Sequence, residues 1–277
     1  MMIIVRVKHA GSIYSMISHA TYLLVGGRDK ISAYDWNSLC GADKRGEDTC
    51  WELMLPGRGE VNSMETLGDA RLVVGAGDSN VLLLDLETRA VVKTYSGHSG
   101  FIHSVDTSSD KILVSGGEEG EVRVWDVSQS ECVHSMKPSD TSDLSRPKLG
   151  VHISSVAVNN DWLACGGGPA PAIWHLKSLT MATALPCNNN EVKVVRFWDD
   201  NVFVGGRGRT LFQFNCSGDL KAEVEVTSSV IYDVVIQHNP NLMCCSGSSS
   251  YIDILSNNYT YKDATIDFFC DQSVINA

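Results

Sequence analysis

At 277 residues the chain is about twice a common domain length, a size that an all-β domain also fills as one unit. Its 43% hydrophobic and 20% charged residues exclude a disordered chain. Twenty-two Lys and Arg against 33 Asp and Glu leave a net charge of −11, which argues against an autonomous nucleic-acid binder, because such affinity comes from neutralising phosphates.

The N-terminal MMIIVRVKHAG has five apolar residues before Arg6, too few for a secretory core. No apolar run reaches membrane-spanning length, so a soluble intracellular protein is expected. Met2 to Lys8 reads as a single strand without partners of its own. Beyond it an apolar run, a glycine-rich or polar turn and an alternating run recur six times: LLVGGRDKISAYDW from Leu23, LVVGAGDSNVLLLDL from Leu72, ILVSGGEEGEVRVWDV from Ile112, WLACGGGPAPAIWHL from Trp162, VFVGGRGRTLFQFN from Val202 and LMCCSGSSSYIDILS from Leu242. Each is a β-hairpin signature. The large residue closing each second strand stands at Tyr34, Leu84, Trp125, Trp174, Phe214 and Leu255, at intervals of 50, 41, 49, 40 and 41 residues. The base period of about 40 is that of a four-stranded blade. The two long intervals contain polar, turn-rich insertions, Asn37 to Thr49 and Lys137 to Gly150, expected in loops. Further strand-like runs such as IHSVD and CVHSM flank each hairpin and complete four strands. No sustained helical period is present, so α/β and helical-repeat folds fall away.

The expected fold is therefore an all-β propeller of six four-stranded blades plus the orphan N-terminal strand. It forms one domain over 1–277, with blades near 9–56, 57–96, 97–137, 150–187, 190–227 and 228–268 and a short tail at 269–277. In the third unit Gly97-His98 precedes the hairpin and Trp125-Asp126 closes it, so the unit resembles a WD repeat. The resemblance implies a hydrogen-bonded chain through His98, Ser115, the turn acid and Trp125. Glu119 holds the turn-acid position, and its extra methylene makes that reach the point to check.

Several strings go beyond the generic repeat: Asp85-Leu-Glu-Thr88, SGGEEGEVRVWD from Ser115, Ser145-Arg146-Pro147, CGGGPAPAIWHLKS from Cys165 and Gly218-Asp-Leu-Lys-Ala-Glu-Val224. Together, from about Tyr14 to about Phe268, they resemble the THO complex subunit 6 family of WD-repeat scaffolds. The resemblance implies a non-catalytic subunit of a nuclear THO/TREX-like complex that couples transcription to mRNA processing and export. Its implied partners are other THO subunits, the coiled-coil subunits 5 and 7 among them, with RNA met only indirectly and no cofactor, membrane or small-molecule substrate. The family carries a further N-terminal blade, of which Met2 to Lys8 looks like the last strand; a gapped or strained ring is the expectation, stabilised by restoring an upstream blade. The alternative is a WD-repeat substrate receptor of a ubiquitin ligase, but Trp125-Asp126 is followed by Val127-Ser128 and not by the Arg such receptors show.

Catalytic patterns are weak. GHSGF at Gly97 lacks the last glycine of a nucleophile elbow, and GGRGRT at Gly205 opens a strand where a phosphate loop needs G-K-[ST] and a helix. The histidines show no H-x-x-x-H pair, which makes a metal site improbable. The nine cysteines are odd in number with no C-x-x-C, and Cys244-Cys245 reads as packing. Trp125 and Trp174 are expected in the core, while Trp36, Trp51, Trp162 and Trp198 are candidates for a surface role. The turns expected on one common face carry Arg28, Arg146, Lys148, Arg207 and Arg209, opposite an acidic sector at Asp78, Glu118 and Glu119. This basic arc is the candidate partner-binding surface, and converting Arg146, Arg207 and Arg209 to Glu is expected to slow assembly while leaving the fold intact.

Overall fold

A computed structural model describes residues 9–40, 49–108, 111–187, 190–237, 241–256 and 258–267. The expected orphan strand, Met2 to Lys8, lies outside them. The alternating runs fold into six four-stranded antiparallel sheets, each a meander in sequence order. Antiparallel pairing follows from the short polar turns, which leave no length for a crossover.

The first sheet contains β1 (Ser15–His19), β2 (Tyr22–Gly26), β3 (Lys30–Asp35) and β4 (Trp51–Met54). The second contains β5 (Val61–Leu67), β6 (Arg71–Ala76), β7 (Asn80–Asp85) and β8 (Ala90–Ser96). The third contains β9 (Ile102–Ser108), β10 (Ile112–Gly117), β11 (Val122–Asp126) and β12 (Cys132–Met136). The fourth contains β13 (Ile153–Val158), β14 (Trp162–Gly167), β15 (Ala172–His175) and β16 (Met181–Ala184). In the fifth are β17 (Val192–Trp198), β18 (Asn201–Gly206), β19 (Thr210–Asn215) and β20 (Leu220–Glu225), and in the sixth β21 (Ile231–Gln237), β22 (Leu242–Gly247), β23 (Tyr251–Ser256) and β24 (Tyr261–Asp267). The fold is all-β, a six-bladed β-propeller of the WD-repeat class. Helix among the described residues is confined to short pieces at the two insertions, α1 (Trp36–Cys40) and a 3-10 turn at Pro138–Asp140.

The chain divides into two compact units, Met1–Ser135 and Met136–Ala277. In the first unit Leu24, Ile31, Leu72 and Leu82 join the first sheet to the second, and Val73, Tyr95, Ile102, Leu113 and Trp125 join the second to the third. In the second unit Ile173, Val195, Phe212 and Phe214 fill the space between the fourth and fifth sheets, and Phe203, Leu211, Val234 and Met243 that between the fifth and sixth. Period-2 alternation makes this possible: β19 sends Phe212 and Phe214 to one side and Leu211 to the other.

The recurring glycine at the end of each second strand has a packing reason. A Cβ on Gly75 would stand 2.8 Å from Ile102 Cγ2, one on Gly26 2.6 Å from Val61 Cγ1, and one on Gly166 2.9 Å from Val192 Cγ1. In each case a crowding atom belongs to the β-branched first residue of the following sheet, joined at Gly26 by Ser15 Oγ of its own sheet at 2.6 Å, so the glycine helps set how closely neighbouring sheets approach.

Candidate interaction surface

The third sheet carries the polar chain that the WD resemblance implies. The Trp125 indole Nε1 donates to Ser115 Oγ at 2.8 Å, and the Ser115 hydroxyl lies 2.7 Å from His98 Nε2. The other imidazole nitrogen, Nδ1, bonds Glu119 Oε1. Because the carboxylate accepts, Nδ1 carries the proton and Nε2 accepts from the serine. Ser115 and Trp125 are fully buried, and burial pushes the His98 pKa below its ordinary 6.5 against the opposing pull of Glu119. The longer Glu119 side chain therefore reaches, but with one oxygen: Oε2 is buried without a hydrogen-bond partner among the described residues.

The basic turns divide differently from the expectation. The turn between β2 and β3 and the linker before β5 meet through a bridge between Arg28 and Glu60, and the β18–β19 turn meets the linker before β21 through one between Arg207 and Val230. Hairpin turns and linkers thus emerge together in both units. Arg28, Lys148 and Arg207 are exposed. Arg209 is exposed too, 3.8 Å from Glu225 with its Nε directed at Val226 O.

Arg146 differs from the other members of the basic arc. It is half-buried, with Nε donating to Gly168 O at 2.8 Å, Nη1 to Asn190 O at 2.8 Å, and Nη2 to Gly167 O at 3.0 Å and Pro169 O at 2.7 Å. With that many donors engaged by backbone carbonyls, the guanidinium ties the insertion to the β14–β15 hairpin and to the linker before β17. An acid also interrupts the arc. Burial works against ionisation of Glu191, but Lys193 at 2.6 Å and His152 at 3.1 Å outweigh it and hold its pKa below the usual carboxylate value. Among the described residues, the free cations of this surface in the second unit are Lys148 and Arg207, with Arg209 shared.

Comparison with known proteins gives the family. The WD domain, G-beta repeat profile matches residues 89–126, which run from the outermost strand of the second sheet through β11. The human protein THO complex subunit 6 is 31% identical over 262 residues, covering 90% of this chain and 75% of that one. The Drosophila melanogaster THO complex subunit 6 is 30% identical, covering 91% and 73%, and the Danio rerio homolog 29%, covering 94% and 82%. The chain belongs to the THO complex subunit 6 family.

Two of the strings that carry the THO complex subunit 6 resemblance prove to be one feature. Arg146 of Ser145-Arg146-Pro147 places its hydrogen bonds on the carbonyls of Gly167, Gly168 and Pro169, inside CGGGPAPAIWHLKS. A turn insertion read in one dimension gives no sign of the carbonyls that Arg146 folds against. Cys165 and Cys245 are buried packing groups, whereas Cys40 and Cys50 are exposed; burial pushes Cys165 and Cys245 up to about 12 and Cys187 up to about 11, far from thiolate chemistry. Gly97 to Phe101 forms the linker between β8 and β9, with its histidine drawn into the network, and the string from Gly205 to Thr210 runs from the end of β18 through the turn at residues 207–209 into β19. Among the described residues no three His, Cys, Asp or Glu side chains cluster as metal ligands. Trp125 and Trp174 are buried, while Trp36, Trp51, Trp162 and Trp198 are half-buried.

Proposed function

We propose that this protein is a non-catalytic WD-repeat scaffold subunit of a THO/TREX-like complex in the nucleus, acting in the coupling of transcription to mRNA processing and export. Its six blades serve as one WD-repeat module over residues 1–277. The supporting observation is the similarity to THO complex subunit 6 of human over 90% of the chain. The partners are other THO subunits, with the coiled-coil subunits 5 and 7 foremost. RNA is met only through the complex, in keeping with the net charge of −11. Arg28, Lys148 and Arg207, with Arg209 beside Glu225, favour encounter with an acidic segment of such a partner by steering.

Affinity purification of the tagged full-length chain with quantitative identification of partners is the test. Recovery of THO subunits in near-stoichiometric amounts supports the reading. Recovery of a ubiquitin-ligase adaptor in their place overturns it and installs the receptor alternative. A Lys148→Glu, Arg207→Glu pair should slow assembly with recombinant THO subunits at low salt and leave it unchanged at high salt. Unchanged assembly at low salt removes the basic surface from the proposal and moves the contact to the blade rim or the Asn37 to Thr49 insertion.

A further inference from the structure

In the second unit a cavity of about 300 Å³ opens between the fifth and sixth sheets, at the end where β17 turns into β18 and β23 into β24. This is the opposite end of each hairpin from the basic turns. The volume lies at the lower bound for small-ligand sites. Gln213 and Tyr259, only 5% and 4% exposed, form part of its lining with the half-buried Trp198 and Asn201. Asp199, Lys221 and Asn258 are its exposed rim.

Gln213 is the residue that needs explaining. It occupies the β19 position that alternation directs toward the sixth sheet, beside Leu211, where packing would be satisfied by another aliphatic side chain. It is instead a carboxamide, and its Oε1 is buried with no hydrogen-bond partner among the described residues. Buried polar atoms are nearly always paired, so an orphan in a residue of the cavity wall points to a missing donor. The surrounding wall is held in place. Tyr259 adopts a left-handed backbone with φ 65°; its ring packs edge-on against Phe203 with centroids 5.6 Å apart, and its hydroxyl donates to the Asn241 side chain.

The lining defines the ligand. One acid, Asp199, and one base, Lys221, cancel, so the cavity has no net charge to recruit an ion. The remaining polar lining is dominated by carboxamides, Asn201, Gln213, Asn241 and Asn258, each offering a donor and an acceptor. A fitting group brings an N–H for Gln213 Oε1, a carbonyl for the facing amides and a flat surface for Trp198. A neutral primary amide within a peptide has all three. A nucleotide fits less well, because Lys221 is the only cation in the lining and the carboxylate of Asp199 stands at the rim. We propose that this cavity is a receptor for a glutamine or asparagine side chain presented by a partner polypeptide. The site stands on its own geometry, and the scaffold assignment can fail without it.

The test uses the ¹⁵N-labelled full chain and follows the Trp198 indole N–H cross-peak, assigned through Trp198→Phe, during titration with the capped tripeptide acetyl-Gly-Gln-Gly-amide. A saturable shift in roughly the millimolar range, as for a small fragment, is expected. The Gly-Glu-Gly and Gly-Ala-Gly counterparts should bind at least about tenfold more weakly, since each leaves the buried carboxamide unpaired. Gln213→Leu should abolish the shift with folding retained, and Lys221→Ala should leave the affinity within about twofold because the ligand is neutral. The absence of saturation, equal binding of the alanine peptide, retained binding by Gln213→Leu, or tighter binding of adenosine monophosphate than of the glutamine peptide would each overturn the proposal.

Discussion

Replacing Arg146 with alanine separates a structural clamp from a docking residue. Its four hydrogen bonds to carbonyls span 2.7–3.0 Å. The bond to Asn190 O is solvent-exposed and contributes little, because water replaces the donor. The three to Gly167, Gly168 and Pro169 are half-buried, and at about 1 kcal/mol each they sum to about 3 kcal/mol. For a chain of this length that corresponds to a fall in Tm of about 6–12 °C. Arg146→Lys should recover no more than about a third, since one ammonium cannot match a planar fork facing several carbonyls. Arg207→Ala, on the same surface but exposed, should stay within about 0.5 kcal/mol. The same bonds mean that the triple change of Arg146, Arg207 and Arg209 to Glu destabilises the second unit and does not act on assembly alone. Differential scanning fluorimetry and urea unfolding of the three single variants decide the matter. An Arg146→Ala protein as stable as the parent but slow to assemble would refute the clamp and return the residue to the docking surface.

Other outcomes follow from the same structure. Gly75→Ala places a Cβ 2.8 Å from Ile102 Cγ2 and 3.0 Å from Val105 Cγ1; the second and third sheets must shift apart, at a cost of about 1–3 kcal/mol, whereas Gly57→Ala meets no atom within 4 Å and tests only its φ of 71°. Ser115→Ala strands the Trp125 indole N–H and the His98 Nε2 in the core and should lower stability by about 2–4 kcal/mol in urea unfolding. His98 gives the protein a pH dependence of known sign. Its folded-state pKa lies below 6.5 because burial disfavours the imidazolium, with Glu119, Glu121 and Arg123 as the charges that face it. The unfolded chain therefore binds the extra proton first, and stability present above pH 6.5 declines as pH falls below it, by at most about 1.4 kcal/mol per pH unit. Unfolding at pH 7.5, 6.5 and 5.5 should show this slope in the parent and lose it in His98→Gln; an unchanged slope in that variant would place the titration elsewhere.

The hairpins were legible because their determinants are local. A run such as LVVGAGDSNVLLLDL states its own strands by alternation and its own turn by glycine and Asp78-Ser79, and β6 and β7 occupy Arg71–Ala76 and Asn80–Asp85. The His98–Ser115–Trp125 chain was legible because Gly97-His98 and Trp125-Asp126 make the third unit resemble a WD repeat, and the resemblance implies it. The role of Arg146 was not, since its partners lie 21 to 44 residues away in sequence and belong to carbonyls, which every residue possesses and no residue type announces. The cavity beside Gln213 was hidden for a related reason: Trp198, Gln213, Lys221 and Tyr259 come from separate strands and turns of two sheets, and of these only Trp198 stood out as a candidate for a surface role.

By itself, then, the sequence determined the repeat, the blade and the family, because alternation, turn chemistry and motif spacing act over a few residues and survive being read in one dimension. Only the tertiary structure decided which charges are free and which are clamped, and where a carboxamide with an unpaired oxygen lies in the wall of a cavity. Those properties depend on burial and on the direction of main-chain carbonyls, and both are set when one sheet packs against the next.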